Sequence, residues 1–173
     1  AGLILLLAIQ AFPAVLALVP IALILLELGL YGSHWGLALA YTVGTLVFCT
    51  WNLKGYFETI PIDLEEAAMI DGAGPVQSFL RIALPLARPA LAVTALFGFM
   101  AGWNEYVMAS VIMAGRSLQY TLPVGLAQMA NDIQVPWGEY AAGSLLVAIP
   151  VVILFLWLQK YLEAGLTLGG VKG

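Results

Sequence analysis

Charge is scarce in this chain of 173 residues: Asp, Glu, Lys and Arg make up 9% of it, against about 25% in a soluble domain. Ten acids and six Lys or Arg leave a formal net charge of -4, with no basic face for a nucleic acid to meet. So few charges cannot clothe a globular domain in water, which removes the soluble-enzyme class. Cys49 is the one cysteine, so there is no disulfide framework and no cysteine-held zinc or iron–sulfur site. His34 is the one histidine and has no second imidazole for a metal site. A phosphate-cradling loop of the G-x-x-x-x-G-K-S/T kind is also missing, so the chain has no such means of holding ATP. No nucleophile–base pair stands out either. What is plentiful is apolar sequence, 62% of the residues at a mean hydropathy of +0.99.

That sequence falls into long runs. A helix crossing a bilayer needs about 20 mostly apolar residues. The runs lack the alternation of barrel strands, so helices are the expected form. Four spans are expected, at about 2–26, 37–53, 89–107 and 141–158. Between them lie a short turn at 29–36, a polar loop at 54–88, a semi-polar connection at 115–139 and a glycine-rich end at 163–173. With four crossings, the 54–88 loop and the C-terminal tail share one side. That side holds Lys54, Arg81, Arg88, Lys160 and Lys172, five of the six cations; only Arg116 lies opposite. The positive-inside rule then places loop and tail in the cytoplasm. The chain opens at Ala1, already within an apolar run, which reads as the remainder of a longer protein.

The polar loop carries half of the acids: Glu58, Asp63, Glu65, Glu66 and Asp71. Residues 64–72 predict a short helix with Asp63 as N-cap, Glu66 completing a capping box and Gly72 terminating it in the left-handed region. Pro75 predicts the start of a second short helix through Leu84, broken again by Pro85 and Pro89. Ala67 and Ala68 leave room for the close approach of a partner. By themselves these signals fit a capped surface helix-turn-helix equally well.

The spacing adds more. Glu66-Ala67-Ala68, three residues, Gly72, nine residues, then Ile82-Ala83-Leu84-Pro85 resembles the "EAA" signature of ATP-binding-cassette (ABC) importer permeases. Further stretches look like the carbohydrate-uptake branch of that family. They are Lys54-Gly55-Tyr56-Phe57-Glu58-Thr59-Ile60, Trp103-Asn104-Glu105, Tyr120-Thr121-Leu122-Pro123-Val124-Gly125 and the tail from Gly165 to Gly173. Phe12-Pro13-Ala14-Val15-Leu16 and the tail look most like the second permease subunit of maltose/maltodextrin importers.

The resemblance implies an all-α integral membrane protein: four transmembrane helices of an expected six, with a cytoplasmic coupling-helix loop. It implies a bacterial inner-membrane subunit, multi-pass with a cytoplasmic C-terminus, that moves a maltose-type oligosaccharide and is not itself an enzyme. The chain would bind no cofactor, and ATP and Mg would be used by partner subunits. Those partners would be a second permease, two ABC ATPase subunits and an extracytoplasmic sugar-binding protein, all in a lipid bilayer and without nucleic acid. Glu65, Glu66, Ala67, Ala68, Asp71, Gly72, Ile82, Leu84 and Pro85 would couple to the ATPase. Leu166, Thr167, Gly169, Gly170 and Lys172 would lie along it. Tyr120, Thr121, Leu122, Pro123, Val124, Gly125 and Gln128, in a stretch reading as a short helix from 118 to 130, would meet the binding protein.

Glu105 and Asn104 are the candidate intramembrane polar pair. A carboxylate at that depth faces a cavity or a polar partner; one at the interface is simply in water, and composition leaves both open. Gln10 is a weaker candidate for an interhelical hydrogen bond. Gly98-x-x-x-Gly102 suits close helix packing, and Cys49 reads as a small apolar packing group. Two other functions remain: a secondary transporter or channel driven by ions, supported only by Glu105 and by Pro13, Pro20 and Pro150, and an intramembrane enzyme, for which a second catalytic group is missing.

Overall fold

The computed structural model describes Gly2, Ala8 and residues 13–169, with side chains from Pro13 as far as Tyr161. Every regular element among the described residues is helical. In order they are α1 (Ala14–Glu27), α2 (His34–Phe57), α3 (Ile62–Ile70), α4 (Pro75–Ser78), a π-turn (Phe79–Ala83), α5 (Leu84–Leu86), α6 (Arg88–Trp103), α7 (Val107–Ile112), a 3-10 turn (Ser117–Gln119), α8 (Leu122–Ala130) and α9 (Trp137–Gly169). Two of them, His34–Phe57 and Trp137–Tyr161 within α9, are long and apolar enough to cross a membrane. A third crossing is reached if Pro75–Leu86 and Arg88–Trp103, bent by 70°, count as one broken span. Hydropathy along the sequence suggests four. Of the first expected span, 3–7 and 9–12 lie outside the described residues, Gln10 among them, and α1 alone, at 14 residues, is short for a crossing.

The chain divides into two compact units, Ala1–Val47 with Phe99–Ile153, and Phe48–Gly98 with Leu154–Gly173. The core of the first is Leu25, Leu37, Ala40, Ala109, Ile112, Met113 and Val124, with Tyr31, Tyr41 and Tyr120 packed against it. It is held by ties that begin in local chain chemistry. Gly29, at φ +69, ends α1: Gly29 N–H bonds to Leu26 O at 3.1 Å and Leu30 N–H to Leu25 O at 2.8 Å, the two bonds of a Schellman cap. Ser33 then caps α2, its Oγ accepting from Gly36 N–H at 3.1 Å. Gly36 is obligatory, because a Cβ there would stand 2.2 Å from Leu30 O. Tyr31 donates to Val111 O at 2.6 Å and Trp103 Nε1 to Val147 O at 2.9 Å. Leu126 of α8 rests on Gly143 of α9, where a Cβ would be 2.7 Å from its Cδ2.

In the second unit small side chains do the packing: Ala83, Ala87, Ala90 and Ala92 are buried, as expected where helices approach closely in a membrane. Asn52 donates to Thr94 Oγ1, joining α2 to α6, and the Phe48 and Phe97 rings meet edge to face at 6.3 Å.

Three expected boundaries move. The third span ends at Trp103, not near 107. The last runs on to Gly169, so Leu166, Thr167 and Gly169 continue α9 instead of forming a separate tail. Gly170 and Lys172 lie outside the described residues. Pro85 does not break its helix: the turn before it widens, with Leu84 N–H reaching back five residues to Phe79 O, and the break comes at Ala87. A proline ring collides with the carbonyl four residues back in an α-helix; widening the turn is a known way to accommodate such a conflict.

Candidate functional site

The polar loop is built within the second unit. Lys54 and Glu58, four apart, form an ion pair as α2 runs out. It is exposed and adds little stability. Pro61 occupies the N-cap position of α3, and Leu64 N–H bonds to Pro61 O at 3.2 Å. The helix therefore begins earlier than expected. Asp63 is not its N-cap and no side chain caps it; Asp63 and Glu65 lie in the first turn, where carboxylates still favour the positive end of the helix dipole. The other end is as expected. Gly72 has φ +90, Gly72 N–H bonds to Met69 O at 3.0 Å and Ala73 N–H to Ala68 O at 2.9 Å, a complete Schellman motif.

No residue of α3 is buried. Glu66, Ala67, Asp71 and Gly72 are exposed, Glu65 and Ala68 half-buried. Beside them stand apolar side chains that water does not favour: Ile62, Leu64, Met69 and Ile70, the last 86% exposed. The neighbouring segment is anchored. Ser78 and Ala83 are buried, Ile82, Leu84 and Pro85 half-buried. α3 packs on α4 and on the π-turn, Phe79 lies 5.7 Å from the Phe57 ring and the Tyr56 hydroxyl donates to Leu86 O. The loop thus packs α3 against α4 and the π-turn, with Ile62, Leu64, Met69, Ile70 and the acids Asp63 and Glu66 exposed.

The 117–130 stretch belongs to the first unit. It is a 3-10 turn followed by α8, not one helix from 118. Val124 is 1% exposed and part of the core, so it is not a free contact residue, and Tyr120 packs on the same core. Thr121, Pro123 and Gly125 are half-buried; Leu122 and Gln128 are exposed, together with Leu118 nearby. His34 Nε2 meets Gln119 O at 3.1 Å and holds this segment to the start of α2.

Glu105 has polar partners. It stands half-buried in the break between α6 and α7 and accepts three hydrogen bonds: from Met108 N–H at 2.7 Å, Ala109 N–H at 3.0 Å and the Tyr41 hydroxyl at 2.8 Å. Asn104 beside it is exposed. Sequence reading missed the Tyr41 partnership, the Asn52–Thr94 bond and the Trp103–Val147 bond, all between residues more than forty apart. Among the described residues, no three His, Cys, Asp or Glu side chains gather as a metal site requires.

Residues 2–168 match the family described as the binding-protein-dependent transport system inner membrane component. The chain is 42% identical over 166 residues to the galactooligosaccharides transport system permease protein GanQ of Bacillus subtilis, covering 95% of this chain and 58% of that protein. It is 44% identical over 170 residues to the maltose/maltodextrin transport system permease protein MalG of Salmonella typhimurium, covering 95% and 57%. It is 39% identical over 165 residues to the inner membrane ABC transporter permease protein YcjP of Escherichia coli, covering 95% and 59%. The chain therefore spans less than two thirds of the length of these curated relatives.

Proposed function

This chain belongs to the family of inner membrane components of binding-protein-dependent transport systems, and on that premise we propose that it is part of the permease of an ABC importer for an oligosaccharide of the maltose or galactooligosaccharide type. Relatives named for those sugars support the substrate class. The chain would lie in the bacterial inner membrane with the 54–88 loop and the C-terminus in the cytoplasm, crossing it four times where a whole subunit crosses six. A second permease would complete the pathway. Two ATPase subunits would spend ATP with Mg, and a sugar-binding protein would deliver cargo against Leu122, Gln128 and their neighbours. The tail residues 166–172 would run beside the ATPase.

One observation carries the coupling role. α3 is a Schellman-capped helix whose apolar side chains are exposed on a polar loop, Ile70 most of all. Exposed apolar groups rimmed by acids mark a docking surface, and on this reading its occupant is the ATPase subunit. Glu66, Ala67, Asp71 and Gly72 would lie in that contact, with Ile82, Leu84 and Pro85 supporting it from behind. An ion-driven transporter would need no such handle.

The test is reconstitution of the full-length subunit with its partner subunits in proteoliposomes. ATP-dependent uptake of a malto- or galactooligosaccharide, lost in Glu66→Lys and Gly72→Pro while both variants still insert, supports the reading. Uptake driven by an ion gradient without nucleotide, or unchanged coupling in both variants, contradicts it.

A further inference from the structure

α7 is anchored in the core of the first unit: Ala109 and Ile112 within it, and Met113 just after it, are fully buried there. α6 ends at Trp103, and only Asn104, Glu105 and Tyr106 lie between the two helices. Three residues between the ends of two helices are a place where displacement is absorbed by backbone rotation. Here the backbone contributes one firm bond, Asn104 N–H to Met100 O at 3.0 Å, and one long one, Glu105 N–H to Gly102 O at 3.4 Å.

The side chain of Glu105 closes the gap. One carboxylate oxygen takes Met108 N–H; the other takes both Ala109 N–H and the Tyr41 hydroxyl. Two otherwise unsatisfied amides of the first turn of α7 are thereby occupied. Tyr41 sits next to Ala40 of the same core, and a Cβ on Gly102 would stand 3.5 Å from its ring, so the tyrosine lies against the end of α6 as well. All three donors point at the carboxylate, which therefore accepts throughout. Hydrogen bonds to an ionised acceptor are about twice as strong as neutral ones.

We propose that Glu105, held by the Tyr41 hydroxyl, is a positioning residue that fastens the break after Trp103 to the core of the first unit. A displacement of α6 is then passed into α7 and α8 instead of being lost between the helices. This role rests on the importer reading, because only there does α6, continuing from the 54–88 loop, have a motor to move it. Its geometric half stands without that reading.

Two measurements separate the two. In a full-length subunit whose Cys49 and any cysteine outside these residues are replaced by Ser, within its complex, spin labels on Ala101→Cys and Ala114→Cys report the distance across the break. The unsubstituted pin predicts one narrow distribution, broadened or doubled by Tyr41→Phe and by Glu105→Gln. Distributions unchanged by either substitution overturn the proposal, whatever the complex transports. In proteoliposomes, the sugar transported per ATP hydrolysed should fall about ten-fold in Tyr41→Phe, the order expected for one lost hydrogen bond to a charged group. The double variant should be no worse than Glu105→Gln, because the two groups act as one unit. A merely structural defect lowers uptake and hydrolysis together and leaves their ratio intact, which also overturns the proposal. Absence of ATP-driven uptake in the unsubstituted complex overturns the importer reading, and the labels still decide the pin.

Discussion

Single residues set the ends of these helices, and two of them lend themselves to direct measurement. Ser33 satisfies Gly36 N–H and donates to Leu30 O at 2.6 Å. Ser33→Ala should therefore destabilise the folded subunit by about 1 kcal/mol. Gly36→Ala is the harsher change, since the backbone of Leu30 must retreat to admit the methyl, and about 1–3 kcal/mol is expected. Thermal unfolding of the detergent-purified complex should rank them in that order; equal midpoints for Gly36→Ala and the unsubstituted subunit would contradict the close approach. Legibility at this scale was uneven for physical reasons. Gly72 could be read because a glycine after a helical run has few other uses, whereas the Asp63 cap was misread because Pro61, two residues earlier, already occupies the cap position of α3. Glu105 could be singled out as a carboxylate in need of a polar partner, but the partner could not: Tyr41 lies 64 positions away, and no local pattern announces such a pair.

At the scale of elements, long apolar helices were legible and their interruptions were not. α2 and α9 follow from composition alone. The end of α6 at Trp103 does not, since Val107, Met108 and Val111 continue the apolar run beyond the break. Pro85 misled in the opposite direction, because a π-turn admits it without ending the helix. Two element-level outcomes are expected. Thr94→Val removes the bond from Asn52 that joins α2 to α6; interhelical hydrogen bonds in membranes are worth about 0.6–2 kcal/mol, so stability should drop by that amount in the same unfolding assay. Ile70→Glu alters only the exposed side of α3. It should leave insertion and stability unchanged, within about 0.5 kcal/mol, while weakening capture of the ATPase subunit about ten-fold in a pull-down titration. Undiminished capture would remove α3 as the docking helix.

For the molecule as a whole, the proposed cycle is a two-state device that its ligands must bias. Reversing a 1:99 population takes about 5.5 kcal/mol of differential binding, for which nucleotide and loaded binding protein are the proposed sources. The central claim is that α3 faces the cytoplasm, where the motor is. It is tested most directly by Ile70→Cys as the sole cysteine of the full-length subunit, with Cys49 and any cysteine outside these residues replaced by Ser, treated with a membrane-impermeant maleimide in spheroplasts and in inverted membrane vesicles. Labelling in the inverted vesicles alone is the predicted result; labelling in intact spheroplasts would contradict the account.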